Sequence, residues 1–158
     1  MTNIVPENIV ASADRAEAAR CIGFGLRKAV RAVSQVYDGK LEPVGLKGTQ
    51  FSLLLATSIT GQIAVGKLAD IMVMDRTTLT RNLRPLKALG YLEMFAGPDK
   101  RVRIIQLTKT GWNILEQAKP LWRSAQAAIL AGIGEQGRDE ILQNLAGVIE
   151  AARHAKTA

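Results

Sequence analysis

Apolar residues recur at helical spacing from about Ser12 to about Lys40, where Ala18, Ile22, Leu26, Ala29, Val33 and Val36 share one face. This predicts one long amphipathic helix, stopped by Pro43 and Gly45. A second helix is expected from about Gly48 to Ser58 through Phe51, Leu54 and Leu55, and after Gly61 a short one from about Val65 to Met72. Asp75 stands directly before the next helical pattern, as an N-cap whose carboxylate can accept from free amide hydrogens. Beyond Gly90 the period changes to extended. Tyr91 to Ala96 and Val102 to Thr108, joined by Gly97-Pro98-Asp99-Lys100, read as a β-hairpin. Two helices close the chain, from about Thr110 to Leu130 (Leu115, Leu121, Trp122, Ile129) and from about Arg138 (Ile141, Leu145, Val148, Ile149, Ala152).

The segment from Arg76 to Leu89 separates two faces when wound at 100° per residue. Leu79, Leu83, Leu86 and Leu89 fall on one arc, and Arg76, Thr77, Thr80, Arg81, Arg84 and Lys87 on the other. Arginines suit guanine edges and phosphates, and threonines offer a methyl for thymine and a hydroxyl for the backbone, so the polar arc is equipped for the major groove. Thr78, beside it at the helix start, joins the candidate contacts. Charge on its own favours an ordinary solvated face, since basic residues on exposed helices are common. The context argues for reading: a short helix, a turn containing Val73 and Met74, and a second helix bearing the arginines have the layout of a helix-turn-helix. The hairpin tip adds Lys100, Arg101 and Arg103, placed to reach phosphates or the minor groove.

With 158 residues the chain has the length of one domain, and 47% hydrophobic and 22% charged residues describe a folded globular protein. The net charge of +7 is concentrated, since seven basic residues stand against three acidic ones from Asp75 to Arg103. No apolar run approaches the roughly 20 residues of a membrane-spanning helix, and no secretory signal is legible at the start, so a cytoplasmic location is expected. One cysteine and one histidine leave neither a disulfide nor a metal-ligand set, and no cofactor is expected. Enzyme chemistry has little to stand on: no histidine lies near a nucleophile, and there is no glycine-rich phosphate loop or paired carboxylate site.

Several stretches in order resemble the MarR family of bacterial transcriptional regulators: Gly45-Leu46 with Gln50-Phe51, Gly61 with Leu68-Ala69, Asp75-Arg76-Thr77-Thr78-Leu79-Thr80-Arg81, and Leu86 with Gly90-Tyr91-Leu92. Asp99-Lys100-Arg101, followed by Ile105, Leu107-Thr108 and Gly111, is similar to the family's wing and its exit into the next helix. The resemblance covers roughly Ile22 to Trp122. It implies a mainly α fold with a small β-hairpin wing: a winged helix-turn-helix lobe at 45–109 and dimerisation helices at 12–44 and 110–156. It further implies a homodimer on a pseudo-palindromic double-stranded DNA site, acting as a repressor released by a small phenolic or other aromatic ligand or by an oxidant. The ligand pocket of the family would fall near Phe24, Arg27, Phe51 and Trp112. Some relatives use a cysteine of the first helix as an oxidation switch, and Cys21 is the candidate here. The opposing reading is a buried, inert thiol, because Tyr37 lies 16 residues further along and cannot touch Cys21 within one straight helix.

The chain departs from the pattern in places. Met94 and Phe95 stand where relatives often carry a basic residue. Lys47 and Ala64 stand where a serine or threonine cap is usual, which would weaken those helix starts by about 1 kcal/mol each unless something compensates. Pro85 removes a backbone donor from the arginine-bearing helix and should kink or loosen it. A winged-helix module that binds protein rather than DNA remains the alternative, and it has no need of arginines on both helix and wing.

Overall fold

The computed structural model describes residues 12–99 and 101–157, and its contacts divide the chain into two compact units after Val36. In the first unit, the expected single helix is two. Helix α1 spans Ser12–Ala19, and α2, Ile22–Leu41, begins in this unit and ends in the second. Between them the amides of Arg20 and Cys21 bond three residues back, to Glu17 and Ala18, which tightens the chain out of the α-helical ladder. Gly23 and Gly25 follow at once, each about 1 kcal/mol less favourable in a helix than alanine, so little resists the break. The apolar face of this unit stands open, with Ile22 65% and Val30 61% exposed.

The second unit holds a short 3-10 turn, Glu42–Val44, then α3 (Gly48–Thr60), α4 (Val65–Ile71) and α5 (Arg76–Ala88), followed by the hairpin and α6 (Lys109–Thr157). Three antiparallel strands, β1 (Ile63–Ala64), β2 (Leu92–Ala96) and β3 (Arg103–Leu107), form a sheet in the order β1-β3-β2. The hairpin matches the sequence pattern. The two-residue strand β1, which pairs Ile63 with Ile105 and Ala64 with Ile104, had no signal, since two residues cannot show an alternation. The core is aliphatic: Leu41, Leu46, Leu53, Leu54, Leu68, Leu79, Leu83, Leu86, Ile105 and Leu115 are fully buried around Phe51.

The weak cap at Lys47 is compensated. The amide of Lys47 donates to Gln50 Oε1 at 2.8 Å and that of Gly48 to Asp38 Oδ1 at 2.7 Å, satisfying two of the free donors of α3. Ala64 offers α4 no side-chain cap. Helix α5 continues through Pro85 to Ala88, while Leu89, expected on the buried arc, lies past the helix end and is 52% exposed. The closing helices are one element broken at Gly134, whose φ of +70° and ψ of 170° are not helical and suit glycine.

Thr108 and Gly111 explain the exit from the wing. Thr108 Oγ1 donates to the Gly90 carbonyl at 2.6 Å and accepts from the Gly111 amide at 3.0 Å, while its own amide donates to the Tyr91 carbonyl at 3.1 Å. A Cβ at Gly111 would lie 2.0 Å from the Tyr91 carbonyl oxygen. Only glycine lets the start of α6 approach the end of α5 so closely.

Candidate nucleic-acid interface

Helix α5 begins where Asp75 caps it. One carboxylate oxygen accepts from the Thr78 amide at 2.8 Å and the other from the Thr78 hydroxyl at 2.7 Å. These bonds, the hydroxyl's first, stabilise the charged carboxylate and lower its pKa from 3.8. Thr78 is thereby half-buried and committed to the cap. Leu79, Leu83 and Leu86 anchor the helix in the core, which forces the opposite arc outward.

On that arc Arg76, Thr77, Thr80, Arg81, Arg84 and Lys87 are exposed and line one open groove of about 600 Å³, with Met94 of β2 beside them. The structure thus gathers the sequence-predicted helix residues into a single cationic surface and leaves Thr78 beside it. The Thr80 hydroxyl donates to the Arg76 carbonyl at 2.7 Å, which leaves its oxygen lone pairs to accept. Arg76 lies over Gly66 of α4, where a Cβ would stand 3.2 Å from its Nη2. Sequence periodicity does not reveal this seat, because it joins two helices.

The wing turn is closed by its own backbone: the Gly97 amide donates to the Val102 carbonyl at 2.8 Å and the Val102 amide to Asp99 at 2.9 Å. Asp99 Oδ1 also accepts from the Arg101 amide at 2.9 Å, so the aspartate shapes the loop and is not a counter-charge left to chance. Arg101 and Arg103 are exposed, the latter opposite Ala96 in the ladder, and Lys100 lies outside the described residues. On β3, Gln106 accepts from Gln62 at 2.6 Å and donates to Glu93 at 2.5 Å, a cross-strand chain that steadies the wing base.

The remaining candidates do not converge. Phe51 is a core side chain, 2% exposed and stacked on Trp122 at 5.6 Å between ring centroids. Trp112 is exposed on α6, and Phe24 and Arg27 are exposed in the first unit. Cys21 is neither inside a helix nor buried: it sits exposed in the turn between α1 and α2, which corrects the expectation of a buried thiol. The helix break that sequence periodicity concealed takes it out of the helix, and its apolar neighbours on both sides, Ala19 and Ile22, are exposed with it. No helix among the described residues is long and apolar enough to cross a membrane.

Residues 44–101 match the MarR family. The M. tuberculosis transcriptional regulator MosR, solved in complex with DNA, is 37% identical, with a TM-score of 0.79 over 86% of this chain and 98% of that one. The multiple antibiotic resistance protein MarR of Salmonella typhimurium is 35% identical over 84 residues, 52% of this chain and 58% of that protein. YwoH of Bacillus subtilis, an HTH-type transcriptional regulator, is 22% identical over 72% of this chain and 83% of its own length.

Proposed function

The chain belongs to the MarR family, and we propose that it is a sequence-specific DNA-binding transcriptional regulator, a repressor that works as a homodimer and is not an enzyme. The observation that carries this reading is the outward arc of α5, four cations and two threonines on one open groove and held by a buried leucine face. Such a surface suits base edges and phosphates together, and the exposed arginines of the wing suit the backbone. MosR, similar over most of both chains, has been solved on DNA.

The open apolar positions support a dimer. Ile22, Phe24, Val30 and Val33 in the first unit, and Ile133, Ile141 and Leu142 on α6, are exposed in one chain and call for a partner. Twofold symmetry would set two α5 helices in successive major grooves about 34 Å apart, on an inverted-repeat site. Release by a small aromatic ligand or by oxidation is the family's habit and is carried into this reading on that ground.

Fluorescence anisotropy against the duplex upstream of the chain's own gene and a scrambled duplex, each at two salt concentrations, tests it. Tighter, strongly salt-dependent binding to the upstream duplex is expected. Arg81→Ala should change the sequence preference, and Arg101→Ala should weaken all duplexes alike while reducing the salt slope by about 1. Equal and weak binding to every duplex, including those selected from a random pool, would mean a protein-binding module.

A further inference from the structure

The turn between α4 and α5 holds a conformation that its sequence does not favour. Helix α4 ends with the Val73 amide on the Asp70 carbonyl at 3.3 Å and the Met74 amide on the Ala69 carbonyl at 2.9 Å. That bonding pattern requires the donor of the first bond, the residue just past the helix end, to be left-handed, a place usually taken by glycine. Here it is Val73, at φ +52°, where a β-branched side chain crowds its own backbone. Its side chain is 55% exposed, so burial does little to offset the strain.

The far end of the chain reaches this turn. Beyond Gly134, α6 brings Val148, Ile149 and Ala152 opposite Val73 and Met74 across an open cleft of about 660 Å³. Across that cleft Arg153 Nη2 donates to the Asp70 carbonyl at 3.1 Å. The carbonyl has two lone pairs, and the Val73 amide and Arg153 both bond to it. An exposed guanidinium therefore bonds to the last turn of α4 one hydrogen bond away from the strained residue.

We propose that Arg153 is a positioning residue for DNA reading. By holding the Asp70 carbonyl it keeps the turn left-handed, and so fixes the direction in which α5 leaves the turn and presents its arginines. The role rests on the DNA-reading function proposed above, but the grip itself is a property of the free protein. If α5 is correctly presented in only part of the population, apparent affinity falls by that fraction.

Two readouts on the full chain test this. Without DNA, amide hydrogen exchange at Val73 and Met74 should be about two- to tenfold faster in Arg153→Ala, the range that one hydrogen bond supplies, and slower again in Arg153→Lys. With a duplex selected from a random pool by the wild-type protein, Arg153→Ala should weaken binding by a similar factor at an unchanged salt slope. Val73→Gly, which removes the strain, should shrink that loss. Unchanged exchange in Arg153→Ala overturns the proposal. So does a salt slope lower by about 1, which would make Arg153 a phosphate contact, or a loss undiminished in the Val73→Gly background. If wild type selects no duplex, the function proposed above fails, while the exchange measurement still decides the grip.

Discussion

Helices α4 and α5 end in the same way and at different cost. At the end of α5 the Gly90 amide bonds to the Lys87 carbonyl and the Tyr91 amide to the Leu86 carbonyl, both at 3.0 Å, with Gly90 at φ +71°. At the end of α4 the corresponding bonds enclose Val73. Glycine makes the left-handed turn without penalty, whereas valine stores roughly 1–2 kcal/mol there. Each end is also bonded from a distant part of the chain: Thr108, just before α6, grips Gly90 and Tyr91, and Arg153, near the far end of α6, grips Asp70. The difference teaches that a relaxed turn needs its outside contact for docking, while a strained one also needs it to stay in shape. The turn that orients the arginine helix is the strained one.

The comparison can be broken most severely at the relaxed end. Gly111→Ala would drive a methyl into the Tyr91 main chain, which cannot swing aside, and a loss of about 3 kcal/mol is expected, read as a thermal midpoint lower by about 6–12 °C. Gly90→Val puts on α5 the strain that α4 already carries. No atom would crowd its Cβ, so denaturant titration should show the left-handed strain less what the stiffer unfolded chain gives back, a net loss of about 1 kcal/mol.

Val73→Gly runs the exchange in reverse. Strain relief opposes the entropy of a freer unfolded chain, leaving a net gain of no more than about 1 kcal/mol in the same titration. A loss there would mean that Val73 contributes more through the cleft than it costs through its backbone.

The smallest effect lies one residue past that turn, at the Asp75 cap. Its folded pKa is lowered, so its stabilisation is fully present above the unfolded value near 3.8 and is lost as pH falls through the lower folded value. An NMR titration of the Asp75 carboxyl carbon should give a midpoint below 3.8, and Thr78→Val should return it toward that value.

Much of the site was legible because it is local. The leucines of α5 recur at helical spacing, Asp75 precedes them, and burying one arc turns Arg76, Arg81, Arg84 and Lys87 outward whatever else the chain does. Thr78 shows the limit of that reasoning: periodicity set it beside the polar arc, and a bond three residues back drew it into the cap. Features that depend on distant partners left no trace. The two-residue β1 exists because Ile63 meets Ile105, and the seat of Arg76 because α4 presents a bare Gly66. The break before Cys21 was hidden by an apolar stripe that continues across it.

The sequence by itself determined the amphipathic helices, the hairpin, the charge concentrated from Asp75 to Arg103 and the polar arc of α5, since period and capping act within one or two turns of chain. Tertiary structure decided which glycines are irreplaceable, why Thr108 binds the end of α5, and that Val73 is held left-handed beside Arg153. These arise from groups up to 83 residues apart, and no local preference can anticipate a bond whose donor and acceptor meet only when the core has packed.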